Sequence, residues 1–108
     1  MQEYVLLVKW DYTYDKESTW YDTDAGEERY ALQEGASYPL PHIRKKSLDI
    51  RSLTQVGEGV CAEIYTDYQT VRVCSDRAPV TVHVSDSYSV AGDSVHQSLC
   101  LAIQIEKA

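Results

Sequence analysis

Apolar and polar residues alternate along the second half of the chain, from Val60 to Glu106. Successive side chains of a β-strand point to opposite faces of a sheet, so this alternation predicts strands. Short turn segments at residues 66–69, 76–79 and 91–94 divide the stretch into four strands. The pattern therefore predicts a C-terminal four-stranded antiparallel meander. Its apolar face consists of Ala62, Ile64, Val71, Val73, Val80, Val82, Val84, Leu101, Ile103 and Ile105.

The turn lengths predict which residues face each other, because the turn fixes the register of a hairpin. Across the first turn the predicted pairs are Tyr65–Thr70, Ile64–Val71, Glu63–Arg72, Ala62–Val73 and Cys61–Cys74. Across the second they are Val71–Val84, Arg72–His83 and Val73–Val82, and across the third they are Val80–Ile105, Val82–Ile103 and Val84–Leu101. The three registers agree on one apolar face and one mixed, polar face.

An aliphatic face of this size needs a second layer to cover it, and residues 1–56 are expected to supply that layer. Residues 3–14 alternate as a long strand, with Tyr4, Leu6, Val8, Trp10 and Tyr12 on one face. Residues 15–18 form a predicted turn, and residues 19–22 are expected to return beside the first strand.

Residues 23–35 fit two structures. Asp24, Glu27 and Gly35 match the caps of a short helix over about 24–34. In the other interpretation, Asp24-Ala25-Gly26 is a hairpin turn and Glu28 to Leu32 is a strand. The strand is favoured because the surrounding segments are all predicted to be β.

The remaining segments complete an all-β prediction. Tyr38-Pro39-Leu40-Pro41 must be extended, and its prolines suit the edge of a sheet. Leu48 to Val56 alternates weakly as a strand, and Gly57-Glu58-Gly59 is a turn. We expect one domain over residues 1–108, an antiparallel β-sandwich or flattened barrel of about seven or eight strands.

Charge and the absence of targeting signals narrow the function classes. The chain carries a net charge of −7, of which −6 falls in residues 1–41. Such an acidic balance argues against direct nucleic-acid binding, which needs Lys and Arg. There is no run of eighteen apolar residues and no basic-then-apolar leader, so we expect neither membrane insertion nor a signal peptide. The predicted location is cytoplasmic.

The three cysteines form no C-x-x-C motif, so neither a zinc ribbon nor a disulfide framework is indicated. Reduced thiols are the default expectation for a cytosolic protein. The predicted register nevertheless places Cys61 opposite Cys74 at a non-hydrogen-bonded position, where the Cα atoms are close enough for a disulfide. In an oxidising compartment this pair is the one expected to bridge.

An aromatic cluster near the N-terminus is the main candidate site. It consists of Trp10, Tyr12, Tyr14, Trp20 and Tyr21, in a chain with nine tyrosines and no phenylalanine. Trp and Tyr are enriched at binding surfaces, although residues at alternating strand positions also fit a core. These five residues are predicted to bind a ligand or partner.

Other polar groups carry weaker signals. The acidic segment 22–28 offers oxygen ligands but departs from the EF-hand pattern, so no metal or cofactor is predicted. His42, Arg44, Lys45 and Lys46 form a basic cluster that is expected to be a solvated loop. Predicted neighbours of possible catalytic interest are Glu63, Arg72 and His83 in one row, Cys61, Cys74 and Thr81 in the next, and Ser89 with His96. No acid and no oxyanion donor completes such a site, so no catalytic residue is predicted.

The predicted function is a non-enzymatic binding or interaction module. Its partner is expected to be a protein, or a second copy of the chain paired through an open sheet edge to give a homo-oligomer. One alternative is a small-ligand protein that captures a sugar or nucleotide between Trp10 and Trp20. Another is an acidic inhibitor that imitates nucleic acid and binds a basic partner.

Overall fold

The computed structural model describes residues 3–17 and 20–108, and within these it contains eight strands in two antiparallel sheets. The strands are β1 Tyr4–Lys16, β2 Trp20–Ala31, β3 Ser37–Pro39, β4 Ser47–Val56, β5 Gly59–Thr66, β6 Gln69–Cys74, β7 Val80–Val90 and β8 Asp93–Lys107. Sheet A has the order β2-β1-β8-β7, and sheet B has the order β3-β4-β5-β6. The all-β sandwich is therefore confirmed, and neither sheet closes into a barrel. No helix in the described part of the chain is long and apolar enough to span a membrane.

The predicted C-terminal meander is wrong at its second connection. Strands β6 and β7 do not pair, because residues 75–79 carry the chain from sheet B to sheet A. The pairs Val71–Val84, Arg72–His83 and Val73–Val82 are consequently wrong. Alternation indicates which face of a strand is buried. The same face is buried whether the next strand pairs with it in the same sheet or lies in the opposite sheet of the sandwich. Eight of the ten predicted inward residues are buried, and Val71 and Val80 pack against the core at its margin.

The first C-terminal hairpin is confirmed pair for pair, from Tyr65–Thr70 to Cys61–Cys74. The third predicted hairpin, formed by β7 and β8, has the predicted inner face, but its register is shifted by two residues. Val84 pairs with Leu99 and Val82 pairs with Leu101. Its turn contains only Ala91 and Gly92, both with positive φ (50° and 86°). Two such residues give the tight turn whose twist matches a hairpin, so pairing continues further toward the tip than a four-residue turn allows.

The N-terminal hairpin of β1 and β2 confirms the favoured strand beginning at Glu28, which extends to Ala31, but neither the helix nor the turn proposed for residues 23–35. The helix is wrong, and Asp24-Ala25-Gly26 lies within β2 instead of forming a turn. Strand β2 pairs with β1 from Lys16–Trp20 to Val5–Ala31, and this continuous ladder outweighs the local helix-capping signals. The turn predicted at 15–18 begins too early, since Asp15 and Lys16 belong to β1 and only Glu17 lies in a turn, while Ser18 and Thr19 lie outside the described residues.

The other predicted elements are found close to their expected places. Strand β3 includes Pro39 and lies at an edge of sheet B, where a missing backbone N–H is tolerated. Strand β4 covers the predicted 48–56, and residues 57–58 turn the chain into β5.

Sheet A is much longer than sheet B, and this difference shapes the molecule. Its strands have 11 to 15 residues, whereas β3 and β6 have 3 and 6. The molecule measures 54 × 21 × 17 Å, with a radius of gyration of 15.6 Å, against about 13 Å for a compact chain of this length. One end of sheet A therefore projects beyond the sandwich.

Candidate binding site

The five predicted aromatic residues do not form one surface. Trp10 and Tyr12 lie in the core with 9% and 7% of their surface exposed, and Tyr14 is half-buried. Trp20 and Tyr21 are 62% and 67% exposed. Since neighbouring residues of a strand point to opposite faces, Trp20 lies on the inner face of sheet A and Tyr21 on its outer face.

His42 covers the two buried aromatic residues. Its ring stacks on Tyr12 with centroids 4.0 Å apart and meets the edge of Trp10 at 5.2 Å. Burial is the main reason that the pKa of Tyr12 is raised, and nearby Tyr88, Tyr14 and Asp22 add to it. The Tyr12 hydroxyl donates to Gln97, so its polar end is satisfied inside the fold.

Trp10 is held against Gly26 on the neighbouring strand. A Cβ atom at residue 26 would lie 2.8 Å from Cε2 of the indole, so only glycine leaves room for the ring. The buried Nε1 of Trp10 finds no acceptor among the described residues. Trp10 is thus a packing residue rather than an accessible binding residue.

The predicted basic cluster ties the loop between β3 and β4 to sheet A and to the β5–β6 turn. His42 Nε2 donates to Asp24 Oδ2 at 2.8 Å, and Lys45 Nζ lies 2.9 Å from Asp86 Oδ2. Lys46 forms an ion pair with Asp67 and donates to the carbonyl of Ser85 at 2.9 Å. Three of the four predicted basic residues are therefore paired with acids, and His42, Arg44 and Lys45 are also exposed to solvent, as predicted for this loop.

The same loop marks where the core ends. The last row of inner residues in sheet A that belong to the main core cluster contains Tyr12, Val84 and Leu99, and Val95 is buried outside that cluster, two rows further out. Beyond it lie two to three further rows of the same face, about 13 Å of strand. We define the distal face as the inner side of these rows, formed by Tyr14, Lys16, Trp20, Asp22, Asp86, Tyr88, Val90, Asp93, Val95 and Gln97.

The distal face combines exposed aromatic side chains with carboxylates. Trp20, Tyr88 and Val90 are all exposed, at 62%, 39% and 42%. Partial burial, the neighbouring Tyr14 and the charge of Asp86 all raise the pKa of Tyr88, and Lys45 opposes them. Lys16 lies 3.9 Å from Asp93, while Asp22 forms no ion pair within residues 3–17 and 20–108. The face is therefore aromatic, acidic and built on four paired strands.

Tyr88 and Val90 were not identified from the sequence. The signal was present, since Val80, Val82, Val84, Tyr88 and Val90 continue one alternation with Asp86 as its only polar member. The predicted turn at 91–94 placed the end of the strand close to its observed end at Val90. Nothing in the pattern, however, indicates that sheet B does not cover Tyr88 and Val90.

The side chains considered for catalysis either lie apart in the structure or form bonds within the fold. Cys61 and Cys74 form a disulfide, so the default expectation of reduced thiols is wrong for this pair, and Cys100 is the free cysteine.

Glu63 faces Arg72 as predicted, but His83 and Thr81 lie in the other sheet. His96 Nδ1 lies 2.9 Å from Ser87 Oγ, not beside the predicted Ser89. In the described ranges, no three His, Cys, Asp or Glu side chains are grouped to hold a metal ion.

A pocket of about 800 Å³ lies at the opposite end of the molecule, beside the disulfide. Its lining includes Arg72, Arg77 and Lys107, together with the acids Glu58 and Asp76. The hydroxyl of Tyr4 donates to the Glu58 carbonyl at 2.8 Å across its wall. The pocket offers cationic groups to a small ligand, in contrast to the acidic distal face.

Comparison with known proteins adds no assignment: no family model, no curated protein and no solved structure matches the chain.

Proposed function

We propose that the protein is a non-enzymatic binding module that holds another protein against its distal face. The observation that carries this proposal is the exposure of Trp20, Tyr88 and Val90 on a sheet whose central rows are buried in the core. Aromatic side chains on a rigid scaffold lose little conformational entropy when a partner covers them, and they commonly dominate binding energy.

The charges of the site indicate a basic partner. Asp22 forms no ion pair among the described residues, and the N-terminal 41 residues that supply much of the face carry a net charge of −6. Lys or Arg side chains of a partner would neutralise these carboxylates and also contact the faces of Trp20 and Tyr14. The proposed partner is therefore a protein with an exposed basic segment.

Substitutions on the two faces of β2 provide a matched test. We immobilise the wild-type protein, Trp20→Ala and Tyr21→Ala, and identify proteins retained from a cell extract over a series of salt concentrations. The proposal expects basic proteins that are retained by the wild type and by Tyr21→Ala, are lost with Trp20→Ala, and elute as salt rises. Retention that depends on Tyr21 and not on Trp20 would contradict it.

In a more specific version of this proposal, the acidic distal face imitates nucleic acid. In that form the partner normally binds DNA or RNA through its basic surface. A short DNA duplex added to the captured complex then releases the partner from the wild-type protein. Release by salt but not by duplex would limit the proposal to basic proteins in general.

The pocket beside the disulfide supports small-ligand binding as a second candidate function. Three cations around a cavity of about 800 Å³ suit an anionic ligand such as a nucleotide, whereas the Trp10–Trp20 pair is ill suited because Trp10 is buried. Calorimetric titration with ATP and with neutral sugars checks this candidate. Heat that appears with ATP and is lost in Arg77→Glu would support it, and no heat with either ligand would remove it.

The disulfide bears on the compartment in which the protein works. Disulfides between neighbouring strands persist in oxidising surroundings and are rare in the cytosol. We propose an oxidising compartment in place of the predicted cytoplasm. Alkylation of the protein as isolated from its native cells, under denaturing conditions without reductant, is then expected to modify Cys100 alone.

A further inference from the structure

The two edges of sheet A differ in how they are protected. On the β2 edge, the carboxylates of Asp22 and Asp24 accept hydrogen bonds from the N–H groups of Thr23 and Ala25, each at 2.9 Å. These bonds occupy donors that an added strand would need, and they place negative charge along the edge. Acidic side chains and occupied donors are known devices against edge-to-edge pairing.

The β7 edge is protected only along its first half. Strands β7 and β8 close with the pair Val90–Asp93 around a two-residue turn. Such a closing pair exchanges both backbone hydrogen bonds, and hydrogen-bonded pairs alternate along the ladder. The odd-numbered residues of β7 therefore direct their backbone groups away from β8. Gln69 Nε2 donates to the carbonyl of His83 at 2.8 Å, and Lys46 donates to that of Ser85.

Beyond Ser85 the edge is open. Ser87 and Ser89 are exposed, and no hydrogen bond within the described part of the chain uses their outward N–H and C=O groups. From residue 80 to 90 the strand contains no Lys, Arg or Pro. Its one acid, Asp86, is paired with Lys45 and only 11% exposed. Lys45, 5.8 Å from the centroid of the Tyr88 ring, is the cation next to this half of β7, which has no proline, no bulge and no occupied outward donor in the described structure to prevent a second strand from pairing with it.

We propose that the open half of β7 pairs antiparallel with β7 of a second copy of this chain, about a two-fold axis at Tyr88. This register hydrogen-bonds Ser87 to Ser89 of the other copy in both directions, which uses all four outward groups of each strand in four bonds. Tyr88 then faces Tyr88 of the other copy at a non-hydrogen-bonded position, where side chains are closest.

A second copy is expected at this edge because the register is self-complementary, and the charges close to the axis do not oppose it. In the proposed register Asp86 faces Val90, so no like charges meet across the axis. The acids of β2 lie three strand spacings away, about 14 Å, which exceeds the screening length of about 8 Å at physiological salt. The partner's body extends beyond the 91–92 turn, clear of the Lys46 loop. An interface of four bonds and one aromatic pair is small, so the dimer is expected to form reversibly with concentration.

Ser89→Pro tests the pairing without breaking the fold's own ladder. The residue 89 N–H points outward, so proline removes a donor for the second copy while the β7–β8 bonds remain. Sedimentation velocity over a concentration series is expected to show a reversible dimer for the wild type and for Ser89→Ala, and a monomer for Ser89→Pro. A wild type that stays monomeric, or a Ser89→Pro variant that dimerises as the wild type does, would overturn the proposal.

A cross-linking measurement keeps the test independent of the proline variant's folding. In a Cys100→Ser background, Tyr88→Cys is compared with Trp20→Cys, which places a thiol on the same face away from the axis. Mild oxidation is expected to give a covalent dimer several-fold faster for Tyr88→Cys. Equal rates would overturn the proposed register. Trp20 lies outside this interface, so Trp20→Ala is expected to lose the basic partner and keep the dimer, which separates the two proposals.

Discussion

Trp10 and Trp20 occupy opposite environments although they lie on the same face of one hairpin. Trp10 pairs with Gly26 in the ladder and packs under His42, while Trp20 pairs with Lys16 near the tip and remains 62% exposed. The difference arises from their distance along the strand relative to the end of sheet B. A residue's role here depends on its row in the sheet as much as on its side chain.

Replacing Gly26 with alanine tests the packing of Trp10. The added Cβ overlaps the rigid indole, which must shift out of its place under His42. Overpacking of this kind is expected to lower the free energy of unfolding by about 1–3 kcal/mol. Urea denaturation measures the loss, and a shift in tryptophan emission reports the displaced ring. Glu27→Ala, at the exposed neighbouring position, serves as the control and is expected to change neither measurement appreciably.

Asp24 gives the stability a dependence on pH. The hydrogen bond from His42 lowers the pKa of Asp24 below its ordinary value of 3.8, and the Ala25 N–H contributes as well. A carboxyl whose pKa is lower in the folded state stabilises the fold above its unfolded pKa and loses that contribution as the pH falls through the folded value. Urea denaturation of wild type and Asp24→Asn is therefore expected to differ at neutral pH, and the difference is expected to shrink as the pH falls below 3.8. A difference that persists unchanged in acid would contradict this.

At the scale of elements, the Cys61–Cys74 disulfide joins β5 to β6 at the end of the hairpin remote from its turn. The bridge closes a loop with a sequence separation of 13 residues. Cross-links over loops of this length stabilise proteins by about 3 kcal/mol, mainly by restricting the unfolded chain.

Removing the bridge is expected to cost a comparable amount. Cys61→Ser combined with Cys74→Ser should lower the free energy of unfolding by about 2–4 kcal/mol. Thermal and urea denaturation under non-reducing conditions measure the loss. Cys100→Ser leaves the bridge intact and is expected to change stability far less, whereas equal effects of the two variants would argue against a stabilising bridge.

At the scale of the whole molecule, the unequal length of the two sheets is the dominant feature. The inner residues Leu99, Leu101 and Ile103 of β8 belong to the main core cluster, whereas Val95, nearer the turn, is buried outside that cluster. Fewer packed neighbours lower the cost of local opening. Amide hydrogen exchange is therefore expected to be slow at residues 99–105 and markedly faster at 94–97, and uniform protection along β8 would contradict a single-layered end.

The two proposed interfaces should respond to salt in opposite ways. Each chain carries a net charge of −7, so added salt screens repulsion between copies and is expected to strengthen the dimer. Binding of a basic protein to the distal face is expected to weaken under the same conditions. Sedimentation and binding measurements over one salt series check both trends. Parallel trends would contradict the assignment of the acids to the partner site alone.

The alternation of residues determined much of this architecture by itself. It identified the long first strand, the edge position of Pro39 and the inward face that includes Val82 and Ile103. It also placed Cys61 opposite Cys74, because a hairpin's register follows from its short turn. The candidate site was found only in part, since Trp20 and Tyr14 lie on the distal face while Trp10 and Tyr12 are buried and Tyr21 lies on the outer face.

Other features were decided only by the tertiary structure. Period-two alternation specifies a buried face but not the neighbour that covers it. The pattern therefore could not show that the chain passes from sheet B to sheet A between β6 and β7. The helix-capping signals around Asp24 are local. Pairing with β1 outweighs them, and this pairing forms only after the chain folds back on itself. The end of sheet B, which separates buried Tyr12 from exposed Trp20, depends on how far two sheets overlap. Overlap is a relation between distant segments, and no local sequence property records it.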